Sequence, residues 1–475
     1  MKGCHSKMRN VLNHATRLAA FLLTLLLAQP VLAAEDKGCD DFQCMFCPAM
    51  DDPDSYVHSN MKLMALLTPG KDRWLFRSTV DLTNSFGMPS SMAAEYARLI
   101  AELGEKGTTL AMILQPTRGL MHRDKVRPDK RQGFEFEQAR ESFGAYLNQL
   151  RTAGAVVPDM TQLVDHPPEE AYFFKRDHHW TPQGARATAR VVANHLKQQL
   201  IYQQLTKKAY QTEGGLTHYR DGTLNLALQR LCGDHFGFQY LPGYRTAPTD
   251  NDISALFDEQ PAPEVILLGT SNSAVRDEEN KQFNFDGFLK EYLSVDLLNF
   301  AMPGAGEYGS MIEYLHSDSY SPDSPPKLIL WELPANYTLA DPLMYRQLIP
   351  AISGQCHDEN TVLRQQQQPS SLRVEERVEL LSNTGAQRRT LSGYDGYLDI
   401  RIGDHNVKDF YIIVYYDNGA RDKVWIRREA IVSGGQYYLE LSKAAEFRNA
   451  NLLSVFMEPT VALDAPTTVD VRLCR

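Results

Sequence analysis

Before residue 350, the hydrophobic positions alternate between short continuous runs and stretches with helical spacing. The apolar runs at residues 108–114, 265–268 and 328–333 predict buried strands, because their length suits a strand covered on both faces. Residues 135–150 carry apolar side chains at helical spacing and predict an amphipathic helix. Strands that alternate with helices favour a mainly parallel sheet covered by helices, so the sequence predicts an α/β fold.

After residue 350 the pattern changes. Residues 365–371 are rich in glutamine, proline and serine, and they predict a surface connection. Apolar and polar residues then alternate at 397–402, and the run at 410–416 leads into Asp417-Asn418-Gly419, a hairpin signal. Further short strands are predicted at residues 424–428, 436–441, 452–457 and 469–473. Repeated strands separated by turns predict an all-β sandwich of roughly 110 to 120 residues.

The chain is therefore expected to have three parts, with a signal peptide at residues 1–34, an α/β domain at 35–350 and a β-sandwich at 351–475. Four basic residues precede the apolar run at 18–27, namely Lys2, Lys7, Arg9 and Arg17. The segment 31–34 follows that run and ends in two alanines, as at the cleavage site of a secretory signal. That run is shorter than the about 20 residues that span a bilayer, although an uncleaved signal anchor remains the alternative. We expect export to a bacterial periplasm, with no integral membrane segment once the signal is removed.

Cysteine usage agrees with an oxidising compartment. Cys4 lies in the signal segment, and the six cysteines that remain are Cys39, Cys44, Cys47, Cys232, Cys356 and Cys474. The spacing of the first three also suits a metal site, but no matching Cys/His cluster occurs elsewhere, so disulfides are favoured. We predict the pairs Cys47–Cys232 and Cys356–Cys474, each tying down one domain, and a third local bridge between the other two. Spacing alone does not fix this connectivity.

The charge balance restricts the partners. The formal net charge is −10, and removal of the four basic residues of the signal segment leaves about −14. Such a surface does not suit nucleic acid or an anionic membrane. If the substrate is an anionic polymer, its attraction must come from a local basic groove.

Three short segments carry the residue types of a serine acyl-transfer site. A serine nucleophile needs a general base and a carboxylate that orients the base. Asp177 and His179 are two residues apart, so in an extended segment their side chains point to the same side. Ser271 follows the predicted strand at 265–268, where sites on parallel sheets form. The sequence predicts a triad of these three residues.

The same segments have simpler interpretations. Thr181 and Pro182 have the residue types of an N-cap and a first helical position, so the Asp-His segment is expected at a helix start. The alternative is that Asp177 is only a cap and that His178 and His179 are ordinary surface or hydrogen-bonded histidines. His178 is a minor alternative to the predicted base, since its alternation relative to Asp177 is wrong. The Gly269-Thr270-Ser271 segment lacks the full nucleophile-elbow pattern, and Gly269 is expected to let the backbone turn sharply. Ser273 is the rival nucleophile.

Oxyanion donors are expected from three places. The Ser271 N–H and the Gly304 N–H are backbone candidates, Asn336 offers a side-chain amide, and Tyr337 lies beside it. The alternative for the segment 303–306 is a tight turn into a helix that starts near Gly306.

Together, these motifs resemble the AlgX/AlgJ family of SGNH-like alginate O-acetyltransferases. The resemblance rests on Asp177-x-His179-Trp180-Thr181-Pro182, Gly269-Thr270-Ser271, Pro303-Gly304, Trp331-Glu332-Leu333-Pro334 and Gln115-Pro116-Thr117-Arg118-Gly119. It implies a three-layer SGNH-hydrolase-like domain followed by a β-sandwich carbohydrate-binding module, with the triad carried by Asp177, His179 and Ser271. The Asp-His segment precedes the serine, in the family's permuted order, and the usual SGNH asparagine block is not plain.

The resemblance implies a periplasmic enzyme that transfers acetyl groups to hydroxyls of mannuronate residues in alginate through an acetyl-serine. The expected partners are the alginate chain, an acetyl donor or donor protein, and other proteins of the alginate biosynthesis and export complex. No metal or organic cofactor is expected. An SGNH-type esterase or deacetylase and a non-catalytic polysaccharide-binding scaffold are the alternatives.

A uronate polymer would need cationic and aromatic side chains. Arg118 and Arg276 are the candidates near the site, and Lys408, Trp425 and Arg427 are the candidates in the β domain. For the charged residues the alternative is a solvated surface, and for Trp425 it is a place in the core.

Overall fold

The computed structural model describes most of the chain, namely residues 45–249, 263–276, 278–369, 371–392, 395–463 and 465–475. The predicted signal peptide at residues 1–34, Cys39 and Cys44 lie outside the described residues. Residues 48–475 form one compact unit, and the domain boundaries at 34 and 350 stay predictions. Across the described ranges, every helix is too short or too polar to cross a membrane.

The described α-helices and strands are labelled in chain order. The helices α1 to α12 are Ser59–Lys62, Ser78–Asp81, Ala93–Glu105, Arg118–Met121, Phe136–Thr152, Thr161–Asp165, Pro182–Leu196, Leu200–Gln204, Thr223–Cys232, Phe285–Leu293, Gly309–His316 and Pro342–Ser353. The strands β1 to β18 are Leu67–Pro69, Leu75–Arg77, Thr109–Gln115, Tyr210–Gly214, His218–Arg220, Gln239–Leu241, Tyr244–Pro248, Val265–Leu268, Leu298–Asn299, Leu328–Pro334, Thr361–Gln367, Val378–Ser382, Tyr397–Ile402, Asp409–Tyr416, Arg421–Arg427, Gln436–Glu440, Leu452–Pro459 and Val469–Cys474. Helices and strands alternate up to α12, and strands dominate after it.

A four-stranded parallel sheet, in the order β3-β10-β8-β9, forms the centre of the first part. The α/β prediction is confirmed, because the three long apolar runs are β3, β8 and β10 with ends shifted by at most one residue. Their side chains are almost entirely buried, which explains the continuous hydrophobic runs. Parallel strands end at one edge of the sheet, so Gln115, Gly269 and Pro334 emerge together there.

Two antiparallel sheets form the second part and confirm the all-β prediction. Their strand orders are β11-β18-β13-β16 and β12-β17-β14-β15. The predicted surface connection at 365–371 is wrong for its first residues, since Gln365–Gln367 belong to the edge strand β11. That strand has side chains of intermediate or full exposure, so it lacks the apolar alternation that reveals a strand. Strand β12 was not predicted, because only two of its residues are buried.

A disulfide joins Cys356, just before β11, to Cys474 at the end of β18. Both cysteines are buried, and the bridge closes the two ends of the sandwich. Cys47 and Cys232 are each disulfide-bonded, and their pairing with one another stays a prediction.

The sandwich packs directly on the α/β part. Helix α12 lies against β16, and Ile431 and Tyr438 belong to the hydrophobic core of the α/β part. Arg98 on α3 pairs with Glu440 at 2.6 Å, and Arg346 on α12 pairs with Asp422 at 2.6 Å. These contacts give the sandwich a fixed position beside the parallel sheet.

Candidate active site

Asp177, His179 and Ser271 form a continuous hydrogen-bonded chain. His179 Nδ1 lies 2.5 Å from Asp177 Oδ1, and His179 Nε2 lies 2.7 Å from Ser271 Oγ. The same carboxylate oxygen accepts the His179 backbone N–H at 2.8 Å, which fixes the two residues relative to each other. The structure therefore places the three predicted residues in the order carboxylate, imidazole and hydroxyl.

The start of helix α7 holds the imidazole in place. Thr181 caps this helix by accepting the Gly184 N–H at 3.0 Å, and Pro182 is its first residue, as the sequence predicts. The His179 ring lies 3.8 Å from the ring of His178 and 5.6 Å from that of Phe283, measured between centroids. These two ring contacts restrict rotation of the imidazole.

A segment that sequence reasoning missed binds the second carboxylate oxygen. Asp177 Oδ2 accepts the Thr223 N–H at 2.9 Å, and Arg220 Nη1 lies 3.4 Å away. Thr223 begins helix α9, and a helix N-terminus favours a negative charge. Gly222 permits this approach, because its φ is +101° and an added Cβ would lie 2.2 Å from the Arg176 carbonyl oxygen. No motif in the sequence links this segment to Asp177.

The protonation states suit a general base. Burial opposes ionisation of Asp177, but the charges of His179 and Arg220 hold its pKa well below the ordinary value. Burial lowers the pKa of His179, and Asp177 only partly offsets that shift. The lowered pKa favours the neutral imidazole, which is the form that can accept a proton.

His178 and Ser273, the alternative base and nucleophile, have other partners. His178 Nδ1 lies 2.6 Å from Thr223 Oγ1. The Ser273 hydroxyl donates to Glu332 Oε2 at 3.0 Å, and the side chain is only 3% exposed. Neither residue occupies the place of the predicted one.

Gly269 has a different role from the expected one. Gly269 does not have a positive φ, so its backbone needs no left-handed conformation. A Cβ at this position would instead lie 2.7 Å from Glu332 Oε2. Any larger residue at this position would displace the buried carboxylate of Glu332.

Asn272 connects the serine turn with the histidine segment. Its Oδ1 accepts the Trp180 N–H at 3.1 Å, and its backbone carbonyl accepts the Trp180 indole N–H at 2.9 Å. Its Nδ2 donates to Gln115 Oε1 at 3.1 Å. Sequence reasoning assigned no role to Asn272 or Gln115, since a polar residue beside a catalytic one gives no distinct pattern.

A pocket of about 320 Å³ opens at Ser271. The predicted residues Gly304, Asn336 and Tyr337 line it, and Gly304 has the positive φ of +73° that suits glycine. Gln115 also lines the pocket, and its Nε2 is buried without a hydrogen-bond partner among the described residues. In the turn that follows Ser271, the Ser273 and Ala274 N–H groups both donate to the Thr270 carbonyl oxygen at 3.1 Å.

Arg118 lines the pocket at Ser271, but most of its hydrogen-bonding capacity is used within the protein, and its predicted role in substrate binding stays a prediction. The side chain is 1% exposed and its two terminal nitrogens donate to four backbone carbonyls, those of Leu75, Phe174, Lys175 and Asp177. Its Nε lies 3.3 Å from Asp81 Oδ2. This guanidinium organises the backbone behind the Asp-His segment. Arg276 lies beside the serine turn, where Nη2 donates to the Ser271 carbonyl oxygen at 3.3 Å.

The candidate residues of the β domain lie in different environments. Trp425 is 43% exposed, which excludes the core position considered for it, and it stacks on Tyr411 with centroids 5.6 Å apart. Arg427 lies over the Trp425 ring at 5.2 Å. Lys408 instead donates to the Ile431 and Val432 carbonyls, so its ammonium supports a loop.

Asp177, His178 and His179 also offer three metal-ligand atoms within 4.8 Å of one another. The described hydrogen bonds of these side chains use an Nδ1 atom of each histidine and the Nε2 atom of His179. A metal ion bound there would compete with the contacts that join the triad.

Comparison with known proteins identifies the family. Residues 67–335 match the family model described as an SGNH hydrolase-like domain, acetyltransferase AlgX, and residues 355–475 match a C-terminal carbohydrate-binding module. The alginate biosynthesis protein AlgX of Pseudomonas aeruginosa is 33% identical over 465 residues, which cover 97% of this chain and 95% of that protein. The probable alginate O-acetylase AlgJ of the same species is 26% identical over 284 residues, covering 56% of this chain and 69% of AlgJ.

The fold agrees with this match. A solved structure of Pseudomonas aeruginosa AlgX superposes with a TM-score of 0.80 at 32% identity, covering 90% of this chain and 99% of that one. The chain therefore belongs to the AlgX family, with an SGNH-like domain followed by an all-β carbohydrate-binding domain.

Proposed function

We propose that this protein is an O-acetyltransferase that acetylates mannuronate hydroxyls of alginate through an acetyl-serine intermediate. The observation that carries the proposal is the chain of contacts from Asp177 through His179 to Ser271, at 2.5 and 2.7 Å. These contacts meet the geometric requirement for a nucleophile, a base and an orienting carboxylate.

In the first half-reaction, Ser271 Oγ attacks the carbonyl carbon of the acetyl donor while His179 Nε2 takes the hydroxyl proton. The tetrahedral oxyanion forms in the pocket, where the Ser271 and Gly304 N–H groups are the proposed donors, with the Asn336 amide as a third. Collapse expels the donor's leaving group, which receives the proton from His179. The ionised Asp177 stabilises the intermediate imidazolium.

In the second half-reaction, a sugar hydroxyl replaces the donor. His179 removes its proton, the sugar oxygen attacks the carbonyl carbon of the acetyl-serine, and the tetrahedral intermediate expels Ser271 Oγ, which takes the proton back from His179. Alginate is the proposed acceptor because the relatives are named as alginate biosynthesis proteins and alginate O-acetylases, and because a carbohydrate-binding module follows the catalytic domain. A hydrolase would give the acetyl group to water instead.

The acceptor is a polyanion, so binding requires cations on an acidic protein. The exposed pair Trp425 and Arg427 on β15 offers a ring for stacking and a guanidinium for a carboxylate. Lys423 lies over the Tyr411 ring at 4.1 Å and extends the same face. Arg276 is the proposed contact near the serine. The described disulfide agrees with the periplasm as the place of action, alongside other proteins of alginate synthesis and export.

Intact-mass spectrometry with 4-nitrophenyl acetate and mannuronate oligomers tests the proposal. We expect the oligomer to gain acetyl mass with the native chain, and to gain none with Ser271→Ala. Ser382→Ala, which changes a half-buried serine on β12 far along the chain from the triad, serves as the matched control and should transfer normally. Acetate release without labelled oligomer would support a hydrolase instead, and full transfer by the Ser271→Ala variant would overturn the proposed mechanism.

A further inference from the structure

We propose that Glu332 is the positioning residue for the nucleophile, acting as the buried acceptor that fixes the turn on both sides of Ser271. This inference rests on the function proposed above. Glu332 is fully buried at the centre of the molecule. It touches neither Asp177 nor His179 among the described contacts, so the triad does not explain it.

Strand register places the glutamate under the serine turn. On β10, Trp331 pairs with Leu268, the last residue of β8, and Glu332 is the next residue along β10. The chain leaves β8 at Gly269, so the carboxylate lies beside the first residues of the turn. On its other side, Glu332 pairs with Ile113 of β3, which keeps the side chain within a continuous sheet.

Three donors from the turn converge on one carboxylate oxygen. Glu332 Oε2 accepts the Thr270 N–H at 2.9 Å, the Thr270 hydroxyl at 3.0 Å and the Ser273 hydroxyl at 3.0 Å. Thr270 precedes Ser271 and Ser273 follows it by two residues. The nucleophile is thus held between two anchored positions, while its own hydroxyl remains free for His179.

The contacts of Glu332 are those of an acceptor and not of an ion pair. Its hydrogen-bond partners in the described structure are the neutral groups of Thr270 and Ser273. The charge of Glu332 contributes to raising the pKa of Tyr172 and of Tyr337, which are also neutral groups. A polar group buried without a partner is unfavourable, so removing this acceptor would force the Thr270 N–H to rearrange. Ser271 Oγ would then move away from its 2.7 Å contact with His179 Nε2.

The test compares Glu332→Leu with Glu332→Gln, measuring the pre-steady-state acetylation of Ser271 by 4-nitrophenyl acetate. A glutamine retains a carbonyl oxygen that accepts the same donors, whereas leucine retains none. A misplacement of about 1 Å costs on the order of 100-fold in rate. We therefore expect Glu332→Leu to acetylate about 100-fold more slowly at similar KM, and Glu332→Gln to recover most of that loss.

Two controls keep the outcomes separable. Glu440→Leu removes another nearly buried carboxylate, on β16, and should leave the acetylation rate within about threefold while lowering the melting temperature. If Glu332→Leu does not fold, Ser273→Ala and Thr270→Val take its place in the test. Each removes one hydroxyl that donates to Glu332, and each should slow acetylation by less than the loss expected for Glu332→Leu. Equal rates for Glu332→Leu and the native chain, or equal losses for leucine and glutamine, would overturn the inference. Acetylation that persists in Ser271→Ala would instead overturn the proposed function.

Discussion

Trp180 donates its backbone N–H to Asn272 Oδ1 at 3.1 Å, so the residue after the general base is bonded to the residue after the nucleophile. The Trp180 indole N–H strengthens the connection by donating to the Asn272 carbonyl at 2.9 Å. Segments 92 residues apart in the chain are therefore held in register beside the 2.7 Å contact between His179 and Ser271.

Removing the Asn272 side chain should slow the chemistry while the fold survives. Asn272→Ala loses the side-chain bonds to the Trp180 backbone N–H and to Gln115, while the indole bond to the Asn272 backbone carbonyl remains. The Trp180 backbone N–H is then unsatisfied and the serine turn is loosened. We expect acetylation of Ser271 to fall about 10- to 100-fold, since each factor of ten corresponds to about 1.4 kcal/mol. Stopped-flow release of 4-nitrophenolate measures this rate. An unchanged rate would show that the register depends on other contacts.

Arg118 should contribute to stability and not to uronate binding. Arg118→Met keeps an apolar stem but leaves four backbone carbonyls without their guanidinium donor, while Asp81 keeps Arg77 as a partner at 2.7 Å. Each buried acceptor left unsatisfied costs about 1–3 kcal/mol, so we expect a loss of about 3–5 kcal/mol in the free energy of unfolding, measured by urea denaturation. Arg373→Met is the control, because that side chain is 78% exposed. Native stability with weakened oligomer binding would support the sequence-based prediction for Arg118.

The pH dependence should follow the depressed pKa of His179. The imidazole acts as a base only when neutral, and burial holds its pKa below 6.5. The acetylation rate should therefore rise as pH increases through that lowered pKa and be above half its plateau at pH 6.5. Single-turnover rates between pH 4.5 and 9 test this. A half-maximal rate above pH 6.5 would contradict the proposed charge state.

Trp425 should contribute to polymer binding through the exposed face of the sandwich. Trp425→Ala removes the ring that stacks on Tyr411 and that Arg427 covers. We expect about a tenfold increase in the dissociation constant for mannuronate oligomers, or about 1.4 kcal/mol, by isothermal titration calorimetry. Val461→Ala is the control, since it also shortens an exposed hydrophobic side chain of the sandwich, here 65% exposed, without removing an aromatic ring. Unchanged affinity in Trp425→Ala would exclude this face.

The sequence was sufficient for three of the four strands of the parallel sheet, and it singled out the three residues that the structure brings into contact. Strands β3, β8 and β10 are covered on both faces, so their hydrophobic runs are continuous and easily recognised. The spacing of Asp177 and His179 in an extended segment likewise predicts that they share a side. Both features are local, and they survive in the folded protein.

Long-range polar contacts could not be predicted in the same way. Thr223 and Arg220 reach Asp177 across more than 40 residues, and Glu332 reaches Thr270 across 62. Such contacts depend on strand register and loop paths, for which a single sequence has no periodic signal. Burial is equally hard to predict for Arg118, because a basic residue near a site suggests ligand binding, whereas this guanidinium is 1% exposed and donates to backbone carbonyls.

The central claim is that Ser271 carries the acetyl group between donor and acceptor. Peptide mapping by mass spectrometry, after acid quenching of the native protein mixed with 4-nitrophenyl acetate in the absence of oligomer, tests it most directly. We predict that the peptide containing Ser271 gains about 42 Da, the mass of the acetyl group in an ester intermediate. We also predict that this gain disappears when mannuronate oligomer is added before quenching. An acetyl group found only on other residues, or one on Ser271 that oligomer does not discharge, would contradict the account.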